Sequence, residues 1–130
     1  MLTITPFYAL PLVAGYIVLT LRVIGGRRAN RVSLGDGGQP DLLARMRAHG
    51  NFAEFAPFGL LLMAMAELAG APALPVHLAG LALVAGRGLH AWAIGWRGPM
   101  AARVGGMMLT FAALSLGAAA AVWPGLVRLF

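Results

Sequence analysis

The stretch Arg47-Ala-His-Gly-Asn51-Phe-Ala-Glu54-Phe-Ala-Pro57-Phe-Gly-Leu-Leu-Leu-Met-Ala-Met-Ala-Glu67 decides what kind of protein this is. Its first half sets Arg47, Asn51 and Glu54 at i, i+4 and i+7, a spacing that a helix of about 3.6 residues per turn gathers on one face. Its second half carries no charge between Glu54 and Glu67. A helix that begins in water and continues into hydrocarbon satisfies both halves.

The remainder of the chain agrees. Of 130 residues, 60% are hydrophobic and 11% charged, against roughly 45–50% and about 25% in a soluble domain. Ten basic and four acidic side chains are too few to solvate a soluble fold of this size. A mean hydropathy of +0.81 points to a bilayer as solvent and excludes intrinsic disorder, which requires low hydrophobicity and high charge. Hydrocarbon about 30 Å thick needs roughly 20 helical residues, and four segments supply them, at about residues 5–24, 42–69, 74–96 and 101–123. The expected fold is therefore all-α, an integral membrane four-helix bundle forming one domain over residues 1–130, with both termini on the same side. Met1 to Leu21 lacks the basic n-region and small-residue cleavage site of a signal peptide, so it is read as a retained helix. Asp41 is expected to N-cap the second helix, and Pro57 to kink it.

The formal charge of +6 would suggest nucleic acid in a soluble protein. Its distribution argues for a membrane surface and against a nucleic-acid partner. All ten basic residues are Arg, and six of them (Arg22, Arg27, Arg28, Arg31, Arg45, Arg47) crowd between the first two apolar runs. The bias of Lys and Arg toward cytoplasmic loops puts loops 25–41 and 97–100 in the cytoplasm and both termini outside. Trp96 and Trp123 fall near opposite interfaces. Gly105, Gly106, Gly117 and Ala118 to Ala121 suit close helix packing. The chain has no Cys, so any thiol chemistry must use sulfur that arrives with a ligand.

Polar groups inside membrane helices are costly and mark candidate sites. Arg47, Asn51 and Glu54 offer a forked donor, an amide and a carboxylate, a set suited to a ligand bearing both carboxylate and ammonium groups. The third helix adds Arg87 and His90 at i, i+3, and Arg103 opens the fourth. A purely structural alternative pairs Glu54 with Arg87 as a buried ion pair. It leaves donors over, because one carboxylate faces two Arg side chains, and a spare buried donor invites an anion. His49 and His77 read as interfacial residues, with no second ligand at helical spacing, so no metal site is expected. Glu67 reads as a snorkelling or loop-facing residue. A transporter or channel subunit fits less well, because the polar residues gather at one end of the bundle.

These residues also carry a resemblance. The segment from Arg47 to Pro57 is similar to the R-A-x-x-N-x-x-E-x-x-P signature of the membrane-associated proteins in eicosanoid and glutathione metabolism, the MAPEG family. The run Val23 to Ser33, with Arg27 and Arg28, resembles the end of the first helix in the family's leukotriene synthase. Gly86-Arg87-Gly-Leu-His90 resembles the G-R-x-x-H of its prostaglandin E synthase branch, which also has an Arg at the place of Arg103. The resemblance implies a homotrimer, of bacterial inner-membrane type, binding glutathione as thiol co-substrate between neighbouring subunits. It further implies that Arg47, Asn51, Glu54 and Arg103, with Arg27, Arg87 and His90 beside them, hold glutathione, and that Arg28 activates its thiol. Phe55, His90 and Ile94 stand where the leukotriene enzyme has tyrosines. The expected function is that of a membrane glutathione transferase or peroxidase acting on small hydrophobic electrophiles. The alternative is a non-catalytic lipid-binding or scaffold trimer of the same fold.

Overall fold

A computed structural model describes residues 1–129, and four helices account for nearly all of them: α1 (Thr5–Asn30), α2 (Pro40–Ala69), α3 (Ala73–Gly95) and α4 (Met100–Leu129). Each is long and apolar enough to cross a membrane, and the chain is an integral membrane protein. No strand occurs among the described residues.

Three helix ends fall beyond the spans expected from hydropathy. α1 runs six residues past Ile24, so residues 25–30 of the expected loop are helical. Hydropathy marks where hydrocarbon ends, whereas a helix stops only where its backbone is capped. Here Arg31 turns left-handed at φ 54°, and the Val32 N–H bonds back to the Arg27 carbonyl at 3.0 Å, a Schellman-type closure. α2 begins at Pro40, with Gln39 at its N-cap position and no side-chain cap. Asp41 therefore lies inside the first turn rather than capping it, favourably placed for the helix dipole, and pairs with Arg45 at 2.7 Å. α4 continues through Pro124 to Leu129. Pro57 likewise lies inside an unbroken α2.

α3 is the central helix. It is the most buried of the four; α2 and α3 each pack against all the other helices, while α1 makes no contact with α4 among the described residues. Close approach of α3 and α4 depends on glycine. A Cβ on Gly86 would lie 2.8 Å from the Gly106 carbonyl oxygen, and one on Gly106 would lie 2.6 Å from the His90 backbone nitrogen. Gly117 packs similarly against Leu62, whereas Gly105, grouped with these by sequence, faces open space. Phe7, Leu10, Ile17, Leu61 and Met108 lie on the outer surface, as hydrocarbon solvent permits.

α2 has 30 residues, which at about 1.5 Å rise gives about 45 Å, more than hydrocarbon about 30 Å thick requires. The surplus lies at its N-terminal end, where Arg45, Arg47, Asn51 and Glu54 are found. That end lies beside the arginine-rich loop and carries the site.

Candidate functional site

A cleft of about 920 Å³ opens at this end between α2, α3 and α4. α2 contributes Arg47, Asn51 and Glu54 to its wall, α3 His90 and Ile94, and α4 Arg103 and Met107. The i, i+4, i+7 face of α2 thus points into one concavity, and five of the eight residues singled out from sequence meet there. Arg47, Glu54 and Arg103 are exposed, and their side chains have no hydrogen-bond or ion-pair partner among the described residues. Two free guanidinium groups and one free carboxylate therefore face a shared space.

Arg87 takes a different place from the one its sequence position suggests. Its side chain is fully buried, at 0% exposure, and it does not line the cleft. Nη1 donates to Thr110 Oγ1 at 3.1 Å and to Met107 Sδ at 3.7 Å, and Nη2 donates to Asn51 Oδ1 and lies 3.3 Å from His90 Nδ1. The rings of Phe52 and Phe55 sit 5.8 and 5.3 Å from the guanidinium carbon. The Glu54–Arg87 ion pair considered from sequence does not form: the only salt bridge among the described residues joins Arg45 to Asp41. Glu54 instead keeps its carboxylate at the exposed surface of α2. Arg87 hydrogen-bonds to neutral acceptors and lies against aromatic faces, with no carboxylate in ion-pair contact.

α1 supplies no residue to the cleft wall. Arg27 is occupied by the loop, donating to the Ser33 and Gly35 carbonyls at 3.1 and 3.0 Å. Arg28 is exposed at the end of α1, without a side-chain partner among the described residues. Arg22 donates to the Gly95 carbonyl at 2.8 Å and stacks 3.6 Å over the Trp96 ring. Arg45 reaches the Arg22 carbonyl at 3.3 Å. The arginine cluster read from sequence as one basic loop thus divides into clamps (Arg22, Arg27, Arg45) and free cations (Arg28, Arg31, Arg47).

Of the three residues at the tyrosine-matching places, Ile94 and His90 line the cleft, while Phe55 backs Arg87 and packs edge-on against Phe111 at 6.1 Å. His49 bonds to Thr20 Oγ1 and His77 to the Tyr8 hydroxyl, and no cluster of three metal-ligating side chains lies among the described residues. Sequence reasoning passed over Thr110 and Met107. Arg103, Met107 and Thr110 repeat on α4 the i, i+4, i+7 spacing of Arg47, Asn51 and Glu54 on α2, and that repetition was the available signal.

Four membrane-spanning helices with a cation-rich cleft at the basic end describe a small integral membrane protein with a polar seat near one interface. The chain belongs to the MAPEG family, whose model matches residues 5–123. It is similar to the inner membrane protein YecN of Escherichia coli strain K12, with 38% identity over 101 residues covering 78% of this chain and 76% of the relative. The same figures hold for YecN of Escherichia coli O6:H1 strain CFT073. No solved structure matches the chain.

Proposed function

We propose that this protein seats glutathione at the cytoplasmic end of an inner-membrane homotrimer and directs it against small hydrophobic electrophiles, as a transferase or peroxidase. The observation that carries this reading is the set of unpartnered charges in the cleft. Arg47 and Arg103 present two guanidinium groups suited to two carboxylates, and Glu54 presents one carboxylate suited to one ammonium. Glutathione, with two carboxylates, one α-ammonium and a thiol, matches that set, and a cleft of about 920 Å³ admits a tripeptide. Family membership supports the same ligand class.

Glutathione would supply the nucleophilic sulfur that a chain without Cys lacks. The protein's own groups then bind and orient. Arg47 and Arg103 hold the carboxylates, Glu54 fixes the ammonium, and the apolar surface of α4 around Met108 and Phe111, exposed toward lipid, receives the hydrophobic partner. Arg28 is the group proposed to hold negative charge at sulfur, since a guanidinium in hydrogen-bond reach favours the ionised form of a thiol whose ordinary pKa is about 8.5. Because α1 contributes nothing to the cleft of its own subunit, Arg28 can act only if a neighbouring copy brings its α1 end to the open side. A trimer with sites between subunits meets that requirement.

The test uses the purified protein in detergent, following thiolate absorbance on adding glutathione and turnover with a small aryl halide. Wild type is expected to show both. Arg28→Ala is expected to bind glutathione nearly as well and to lose about 100-fold or more in turnover, the scale for removing one charge-stabilising donor. Glutathione binding without turnover of any electrophile in wild type would support the lipid-binding or scaffold alternative.

A further inference from the structure

The Arg87 side chain is sealed from the cleft, yet it touches three residues that line it, Asn51, His90 and Met107, and the direction of its contacts to the first two has a chemical consequence. A guanidinium only donates hydrogen bonds. The Asn51 atom facing Arg87 Nη2 must therefore be the carbonyl Oδ1, which turns the amide NH2 away from Arg87. By the same argument His90 Nδ1, 3.3 Å from Nη2, must be the acceptor, which places the proton of the neutral imidazole on Nε2. Asn51 and His90 both line the cleft. Asn51 Nδ2 and His90 Nε2 have no protein partner among the described residues, yet they are absent from the sealed unpartnered nitrogens, which are only Arg45 Nε and Arg87 Nε. Both atoms therefore reach accessible space.

We infer that Arg87 is a positioning residue that converts Asn51 and His90, each able to donate or accept, into fixed hydrogen-bond donors toward the cleft. This rests on the glutathione reading only for the identity of the ligand. The cleft wall then carries donors on Arg47, Asn51, His90 and Arg103 and a single charged acceptor, Glu54. It selects a ligand whose recognised groups are carboxylates or carbonyls, with one cationic group to meet Glu54. A ligand whose polar groups only donate, such as a polyamine, would leave these N–H groups unmatched. Thr110 holds Arg87 in place from the other side: its hydroxyl donates to the Gly106 carbonyl at 2.8 Å, so its lone pairs are free to accept from Arg87 Nη1.

The test is nitrogen NMR of the imidazoles in the full-length protein in detergent at neutral pH, with glutathione titrated in parallel. The chain has three His, so His90 is assigned by comparison with His90→Gln. In wild type without ligand, His90 is expected as a single tautomer, protonated at Nε2 and unprotonated at Nδ1. In Arg87→Met, which removes the donors but keeps an apolar chain in the bundle, the tautomers are expected to mix and glutathione affinity to fall about tenfold or more. Arg87→Lys, still a donor, is expected to restore the Nε2–H form in part. A wild-type His90 protonated at Nδ1, or at both nitrogens, would overturn the inference whether or not Arg87→Met folds. The correct tautomer in a protein that does not bind glutathione would leave the inference standing and count against the ligand reading alone. Glutathione binding with the wrong tautomer would do the reverse.

Discussion

At the end of the bundle opposite the cleft, Glu67 collects bonds from a helix start more than sixty residues away in sequence. Its Oε1 accepts from the Thr3 N–H and hydroxyl and from the Ile4 N–H, and its Oε2 accepts from the Thr5 N–H and hydroxyl at 2.9 Å. α1 has no cap from its own N-cap residue, and the first N–H groups of any helix need acceptors from outside. Glu67 provides them across the bundle, so of its two readings, snorkelling or loop-facing, it is the second that the contacts with Thr3 and Ile4 favour. Glu67→Ala is expected to lower stability in detergent by about 2 kcal/mol, since charge-assisted bonds are lost and orphan donors remain; thermal unfolding measures it. Residue type and spacing made Arg47, Asn51 and Glu54 legible, because a polar face on an apolar helix follows from periodicity alone. The fates of Arg22, Arg27, Arg87 and Glu67 were not legible, because each is decided by acceptors or donors supplied by another part of the chain.

The α3–α4 pair governs the depth and shape of the cleft, since His90 sits on one helix against Gly106 of the other. Adding a methyl group at Gly106 would bring it within 2.6 Å of the α3 backbone, and a backbone cannot yield as a flexible side chain can. Gly106→Ala is expected to cost about 1–3 kcal/mol, the range for overpacking, and to weaken ligand binding by displacing His90. Gly105→Ala, which meets nothing within 4 Å, is expected to leave unfolding and binding unchanged. The comparison of the two thermal transitions checks the crossing. That glycines would pack was legible in the sequence; which of two adjacent glycines does so depends on the rotation of α4 about its axis, which the face shared by Arg103, Gly106, Met107 and Thr110 marks only once the packing of Thr110 against Arg87 is known. Helix ends were the least legible feature, as the six extra residues of α1 and the extension of α4 past Pro124 illustrate.

For the whole molecule, the arginine distribution orients the bundle and the cleft follows that orientation. The loop after α1 and the turn before α4 lie at the cleft end, while the Gly70 to Pro72 connection lies at the other. Because the natural chain has no Cys, single cysteines report topology without background. Ser33→Cys is expected to react with a membrane-impermeant maleimide only after the cytoplasmic face is opened, and Ala71→Cys in intact spheroplasts. The number of spans and the basic side were legible from hydropathy and charge, whereas the one-subunit cleft, with α1 outside it, required the fold.

The central claim, that the cleft is a seat for an anionic thiol peptide, is tested most directly by calorimetric titration of glutathione into detergent-solubilised wild type, Arg47→Ala and Glu54→Gln. Arg47 and Glu54 are exposed and make no hydrogen bond or ion pair among the described residues, so both variants should fold, which their thermal transitions check. Saturable binding to wild type is expected, with a loss of about tenfold or more in each variant, since each removes a charge-assisted contact. Absence of binding to wild type at millimolar glutathione, or equal binding by all three proteins, would contradict the claim.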